Sequence, residues 1–158
     1  MRMRSLIAGV CLAALLYGCK NRVEEPGRVT YREVSGTFSI VAVDPNTGVC
    51  GAAVGKVVPY VRAGVGAFCT QHWHNPSWGE KALDLLGEGR LPEEVLAELL
   101  RNDPRKDKRQ LAIIDMSGRA ANRNCSGSDP SGLWWGSAAG RYYACQGNTL
   151  TDCEVIYA

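Results

Sequence analysis

Alternating polar and apolar positions predict the first strands of a domain that begins near residue 37. Residues 37–43 alternate at first and then become wholly apolar, and residues 49–58 form a second apolar run. Between them, residues 44–48 are turn formers, so the two runs are predicted to pair as a β-hairpin. A third strand is predicted over residues 61–70, where two glycines indicate bulges or close packing.

The pattern changes to helical periodicity in the middle of the chain. Ser77 followed by Glu80 has the spacing of a capping box and predicts a helix that ends near Gly87 or Gly89. Pro92 begins a second one-sided apolar stretch. A further hairpin is predicted over residues 110–122, and a last strand over residues 142–146, after a loop-rich segment. Strands before and after a helical pair predict an α+β fold.

The register of the first hairpin places a lysine near the start of the first strand. If Val43 pairs with Val49 across the turn, Gly55 lies opposite Thr37. Lys56 then lies beside Thr37, and a slip of one residue would not separate them. An ordinary lysine at a strand end, reaching into solvent, is the alternative interpretation.

The first residues have the features of an export signal rather than of a folded element. Arg2 and Arg4 precede an apolar run over residues 6–16, which is too short to span a bilayer. The run ends in Leu16-Tyr17-Gly18-Cys19, which resembles a bacterial lipobox with Cys19 as the lipidated residue. We therefore predict a lipoprotein signal peptide over residues 1–18, a tether over residues 19–36 and a domain over residues 37–158. A plain signal peptide with an incidental Cys19 is the alternative.

Composition limits the partners and the metal chemistry of the exported chain. The 158 residues, with 46% hydrophobic and 22% charged residues, suit one globular domain. Without Arg2 and Arg4 the charges balance at 16 basic and 16 acidic residues, so no basic surface for nucleic acid is expected. Cys69, His72 and His74 match no closed zinc pattern, and no metal or cofactor is predicted. Five cysteines fall in the predicted domain, an odd number that leaves their pairing open.

A series of short motifs runs collinearly from residue 37 to about residue 155. They are Thr37-Phe38-Ser39-Ile40-Val41-Ala42, Ala63-Gly64-Val65-Gly66-Ala67, Thr70-Gln71, Asn75-Pro76-Ser77, Leu83-Asp84-Leu85-Leu86, Pro92-Glu93-Glu94, Arg109-Gln110, Trp135-Gly136, Tyr143-Ala144 and Gln146-Gly147-Asn148. With these motifs the domain resembles DUF1028, a bacterial family of unknown function placed in the Ntn-hydrolase (N-terminal nucleophile) superfamily. The resemblance implies an αββα sandwich. Members usually continue for several dozen residues beyond the point this chain reaches, so the sandwich is expected to be incomplete at the C-terminus, and whether the chain is a fragment stays open.

The resemblance also implies a nucleophile. In Ntn hydrolases a processed N-terminal Thr, Ser or Cys attacks the substrate, and its own α-amine acts as the base. Thr37, preceded by Ser35-Gly36, is the position that inherits this role. A threonine chosen only for strand propensity is the alternative. Lys56 would lower the pKa of the Thr37 amine, and Asn148 and Gln71 are the candidate oxyanion donors. Turn chemistry is the alternative for both amides.

Two functions of different classes follow from the sequence. The first is an exported Ntn-type hydrolase of a small amide or peptide bond, anchored to the membrane through Cys19. The second is a non-catalytic envelope binding or assembly lipoprotein that keeps the fold while Thr37 stays within an uncut chain. The sequence leaves homo-oligomerisation open. It contains no dinucleotide fingerprint, P-loop, HExxH or GxSxG motif.

Overall fold

The computed structural model of the protein describes residues 36–126 and 133–157. The predicted signal peptide, Cys19 and the predicted tether up to residue 35 lie outside these residues. Within them, no helix is both long enough and apolar enough to cross a bilayer.

The described residues form eight strands, three α-helices and one 3₁₀ helix. The strands are β1 (Thr37–Asp44), β2 (Val49–Val54), β3 (Tyr60–Arg62), β4 (Gly66–His72), β5 (Arg109–Asp115), β6 (Ala120–Arg123), β7 (Trp134–Gly140) and β8 (Tyr143–Leu150). The helices are α1 (Trp78–Gly87), α2 (Pro92–Leu100) and α3 (Glu154–Tyr157), and the 3₁₀ helix is Lys106–Lys108. The predicted mixture of sheet and helix is confirmed, as are the two predicted helices and both predicted hairpins.

The strands form two antiparallel sheets of four. Sheet 1 has the order β2-β1-β8-β7, and sheet 2 has the order β3-β4-β5-β6. The sheets pack face to face, because inward-facing residues of both belong to one buried apolar cluster. Its members are Val41, Val43, Ala67, Cys69, Ala112, Ile114 and Ala144.

Helices cover the outer face of sheet 2. Leu111 and Ile113 of β5 pack with Leu83 of α1 and Val95 of α2 in a second buried cluster. Because β5 has the other sheet on one face and helices on the other, every one of its residues is buried. The short helix α3 covers only part of the outer face of sheet 1, where Ile156 packs with Cys145 and Leu150. On that face Phe38 is 37% exposed and Tyr143 is 40% exposed.

The prediction of a single strand over residues 61–70 is wrong, since the structure divides this segment into β3 and β4. Gly64 has a φ of +75° in the turn between them, a backbone conformation that favours glycine. Gly66 also has a positive φ, +146°, and it allows close packing as well, because a Cβ there would overlap the carbonyl oxygen of Ile114 on β5.

Strand β7 lies in the segment for which a loop was predicted. Its sequence, WWGSAAG, is rich in glycine and alanine and poor in strand-forming residues. The Trp134 ring lies across Gly136, which leaves no room for a side chain at that position. Strand β8 also runs four residues beyond its predicted end, to Leu150. Pairing between these strands therefore outweighs weak local propensity.

The predicted capping box of α1 is wrong. Ser77 has a helical backbone conformation, and its hydroxyl donates to Oδ1 of Asn75 (2.8 Å) instead of capping the helix. The Asn75 side chain competes for this hydroxyl within the turn before α1.

The predicted register of the first hairpin is wrong by one residue. Val43 pairs with Cys50, and Asp44, which was predicted to lie in the turn, pairs with Val49 as the last residue of β1. The cause is the side chain of Asp44, which accepts hydrogen bonds from the Asn46 N–H (2.9 Å) and the Thr47 hydroxyl (2.7 Å). These bonds close a tighter turn than the sequence predicted.

Candidate active site

The space between the two sheets is apolar at one end and polar at the other. At the apolar end lie the inward-facing valines, alanines and isoleucine described above. At the other end the same strands carry buried polar side chains. These are Ser39 on β1, Gln71 on β4, Gln110 on β5, and Gln146 and Asn148 on β8. We refer to Gln71, Gln110, Gln146 and Asn148 as the amide cluster. Buried polar groups cost free energy unless they are bonded, so their concentration at one end marks a candidate site.

Thr37 lies at the edge of the amide cluster. It is the first residue of β1 and pairs directly with Asn148, so their side chains share one face of sheet 1. Ser39 and Val41 follow at alternate positions of β1 and are fully buried between the sheets. Thr37 itself is half-buried. The predicted nucleophile and the predicted donor Asn148 are therefore neighbours at the mouth of the intersheet space.

Gln110 joins the two predicted oxyanion donors. Its Oε1 accepts hydrogen bonds from Gln71 Nε2 (2.6 Å) and from Asn148 Nδ2 (2.9 Å). Its own Nε2 donates to Asn124 Oδ1 (2.7 Å) and to the carbonyl oxygens of Gly147 (2.8 Å) and Gly136 (3.2 Å). An amide nitrogen carries two hydrogens, so Gln71 and Asn148 each keep a second N–H for another acceptor.

Gln146 connects the sheets less tightly. Its Nε2 lies 3.4 Å from the Gln110 carbonyl oxygen and 3.5 Å from that of Cys69. The Oε1 atoms of Gln71 and Gln146 accept no hydrogen bond from any described residue. The amide cluster thus offers both donors and acceptors to a polar group that reaches it from the mouth.

Cys69 borders the amide cluster without being activated. Its thiol is free and buried. Burial raises the pKa of the thiol to about 12, although hydrogen bonding by the Ser39 side chain acts to lower this pKa. The thiol therefore stays protonated and is a poor nucleophile. His72 packs edge-to-face against Trp135, with ring centroids 5.6 Å apart. Cys50 and Cys145 also carry free thiols.

Three strained backbone positions surround the mouth. His72 ends β4 with a φ of +62°, and Thr149 follows Asn148 with a φ of +57°. Lys56, just beyond β2, has a φ of +85°. Positive φ is uncommon outside glycine and is an outlier for a β-branched residue such as Thr149. Strain of this kind often clusters at functional sites.

Lys56 lies beyond the end of the β1–β2 pairing. The last paired residues are Ser39 and Val54, after which the Gly55 N–H donates to the Phe38 carbonyl (2.9 Å). The observed register, if continued, would bring Lys56 opposite Thr37, but the chain turns there and Lys56 is exposed. Its predicted effect on the Thr37 amine stays a prediction.

From the sequence, Gln110 was identified only as part of a family motif and was given no role, although it is the centre of the network. The signal that could have found it is its position. Gln110 begins the apolar run 110–116, and in a strand Gln110, Ala112 and Ile114 lie on the same face. Only the packing of β5 against sheet 1 shows that this glutamine meets Asn148.

We expect Gln110→Met to lower the free energy of unfolding by about 3 kcal/mol, because it leaves buried donors and acceptors without a partner. Methionine keeps the length of the side chain, so cavity effects stay small. Gln146→Met is the matched control, since Gln146 is equally buried but makes only two long bonds. Urea unfolding followed by circular dichroism should show the smaller loss for Gln146→Met, and equal losses would contradict the central role of Gln110.

Comparison with known proteins identifies relatives of this architecture. The family model described as "Family of unknown function (DUF1028)" matches residues 37–158. Among solved structures, the chain is similar to the crystal structure of a DUF1028 protein from Silicibacter pomeroyi, with 32% sequence identity and a TM-score of 0.69. The match covers 78% of this chain and 59% of that chain, so this chain spans less than two thirds of the length of that relative. No curated protein matches the chain.

Proposed function

The chain belongs to DUF1028, a family of unknown function, and we propose that it hydrolyses a small amide or peptide bond by an Ntn-type mechanism. Its fold would be the αββα sandwich of the Ntn hydrolases. Two antiparallel sheets packed face to face, with helices on the outer face of one, support this proposal. The second helical layer would lie on the outer face of sheet 1, where α3 packs.

The position of Thr37 carries the proposal. Thr37 begins a strand, faces the intersheet space and lies opposite an amide donor at the mouth of a buried polar cluster. A nucleophile needs access to substrate together with fixed groups that stabilise developing charge. Gly36 precedes Thr37, so cleavage of the Gly36–Thr37 bond would create a free α-amine on the nucleophile itself.

The reaction would proceed through an ester of Thr37. The Thr37 α-amine takes the proton from Oγ1 as Oγ1 attacks the substrate carbonyl carbon. The second N–H of Asn148, with that of Gln71, would stabilise the negative oxygen of the tetrahedral intermediate. The C–N bond then breaks, and the leaving nitrogen takes the proton from the amine. Water, activated by the same amine, attacks the ester and releases the acid.

Lys56 would tune the base. A free α-amine has a pKa of about 7.7–8.0, so it is partly protonated at neutral pH. A lysine ammonium beyond the end of β2 would disfavour that protonated form and lower the pKa of the amine. Lys56 itself takes no proton, so it does not alter the proton transfers of the reaction.

The proposed location is the bacterial cell envelope. The lipobox-like sequence around Cys19 supports export and lipidation of that residue. Cleavage at Thr37 would separate the domain from its anchor, so an active enzyme of this kind would be released from the membrane.

A non-catalytic binding or assembly lipoprotein is the second candidate. One observation favours it, namely that two surface hollows, of about 280 Å³ and 200 Å³, lie away from the amide cluster. The larger lies between α1 and α2 and is lined by Trp78, Lys81 and Asp103. In this case Thr37 would remain within an uncut chain, and its amine would stay tied up as an amide.

N-terminal sequencing of the mature protein distinguishes the two candidates. We expect a start at Thr37, because the proposed base exists only after that cut. A blocked start at Cys19 with an intact tether would contradict the hydrolase and support the binding module. Thr37→Ala, which removes the hydroxyl and keeps the backbone N–H, is a control for whether cleavage depends on the Thr37 side chain itself.

A further inference from the structure

Trp73 is held on the surface beside the amide cluster. It is 46% exposed, yet its backbone N–H donates to the Lys108 carbonyl (3.3 Å) and its carbonyl accepts from the Arg109 guanidinium. Arg109 is almost fully buried and binds both carboxylate oxygens of Asp103, at 2.6 Å and 3.0 Å. These bonds fix the backbone of Trp73, and its partly exposed ring offers a large apolar surface to solvent, which suits a binding surface.

Two cations lie over the Trp73 ring. Lys108 Nζ is 4.7 Å from the ring centroid, and the central carbon of the Arg105 guanidinium is 5.7 Å from it. The Lys108 N–H donates to the Arg105 carbonyl (2.9 Å) within the 3₁₀ turn. Because such a turn has about three residues, Arg105 and Lys108 lie on one side, whereas Lys106 lies on another. We refer to Trp73, Arg105 and Lys108 as the Trp73 surface.

The Trp73 surface lies at the same end of the sheets as Thr37. Gln71 pairs with Gln110 in the amide cluster, and Trp73 follows two residues later. Two residues of backbone span at most about 7 Å, so the Trp73 backbone lies within roughly 7 Å of the Gln71 backbone. A small substrate can span such a distance.

The carboxylates of the same segment are already paired. Asp103 binds Arg109, and Asp107 binds Arg123 (3.2 Å). Arg105 and Lys108 form no ion pair within 4.0 Å of a described carboxylate. The Trp73 surface therefore has positive charge next to a flat apolar face.

We propose that the Trp73 surface binds the carboxylate of the substrate, so that the site takes N-acyl amino acids or short peptides with a free carboxylate. This inference rests on the proposed hydrolase only for its assignment of the scissile amide to Thr37. The cations attract the carboxylate, and the Trp73 ring packs against the apolar or planar group that carries it. A neutral amide of the same shape lacks the first of these interactions.

The test is isothermal titration of the full chain with N-acetyl-L-phenylalanine and with its uncharged analogue, N-acetyl-L-phenylalaninamide. We expect the acid to bind more tightly, and its affinity to fall as NaCl is raised. Arg105→Gln and Lys108→Gln should each weaken binding of the acid by roughly two- to fivefold, while leaving the amide unaffected. Lys106→Gln is the matched control, since it removes one charge from the same turn without touching Trp73.

Three outcomes would overturn the inference. They are equal affinity for the two probes, no detectable binding of the acid at millimolar concentration, and an equal loss in Lys106→Gln and Lys108→Gln. Each variant is first checked for an unchanged thermal unfolding transition. Binding is measured without turnover, so a failure of Thr37 as nucleophile would contradict the proposed function and leave this result intact.

Discussion

Replacing Thr37 with alanine is expected to abolish hydrolysis at every pH. The substitution removes the only atom proposed to form a bond to the substrate carbon, so the loss should be about a thousandfold or more. Thr37→Ser keeps a hydroxyl and should retain part of the activity. The measurement is release of free amine from a panel of N-acyl amino acids and dipeptides by the mature protein. Full activity in Thr37→Ala would remove the Ntn mechanism.

Lys56 provides the companion measurement, because its proposed role appears only in the pH dependence. Lys56→Ala keeps the nucleophile but removes the positive charge, so the acid limb of the rate profile should move to higher pH. Lys56→Arg keeps the charge with a different shape and should be intermediate. Lys81→Ala, on the exposed side of α1, is the control. An acid limb that stays in place in Lys56→Ala would show that this lysine is an ordinary surface residue.

Replacing Arg109 with methionine is expected to lower the free energy of unfolding by about 3–5 kcal/mol at neutral pH, because it leaves a buried carboxylate without its partner. The side chains of Arg109 and Asp103 are only 2% and 7% exposed. Arg119→Met is the matched control. Arg119 binds Asp115 at the same distance, 2.6 Å, but its side chain is 53% exposed. Asp115 is buried, yet it keeps hydrogen bonds from the Ser117 and Arg119 N–H groups, so the loss should be below about 1 kcal/mol. Chemical unfolding at pH 7 measures both.

The loss at Arg109 should also depend on pH. Hydrogen bonding to Arg109 lowers the pKa of Asp103 below its ordinary value of 3.8. The pair therefore stabilises the fold above that ordinary value, and the contribution disappears as the pH falls through the lower pKa of the folded state. In Arg109→Met the carboxyl can take up a proton, so wild type and variant should converge in acid. A difference that stays constant from pH 7 to pH 3 would contradict the ion pair as the cause.

Local sequence patterns were sufficient for elements that follow simple rules. The alternation in residues 37–43 and the one-sided apolar stretch after Pro92 predicted β1 and α2 correctly, because each buries one face. Strand β7 was missed because small residues form it only when β8 and the Trp134 ring supply the packing. The register error arose from the Asp44 side chain, whose hydrogen bonds select the turn after the strands have met.

The candidate site was predictable to the extent that it follows from family motifs. Thr37, Asn148 and Gln71 were identified from the sequence, and the structure brings all three to one end of the intersheet space. Gln110 lies in one of those motifs but was given no role, because its importance depends on a contact between residues that are 38 positions apart in the chain. Single-strand patterns contain no information about which residue of the opposite sheet a side chain meets.

The amide cluster has a consequence for interpreting kinetics, since neutral carboxamides neither gain nor lose a proton across the range in which enzymes are assayed. The thiol that borders it stays protonated as well, because burial raises the pKa of Cys69 to about 12. The interior framework should therefore keep the same hydrogen bonds from mildly acidic to mildly alkaline solution. Any ionisation that controls the rate can then be assigned to the Thr37 amine, to groups around the mouth, or to the substrate itself.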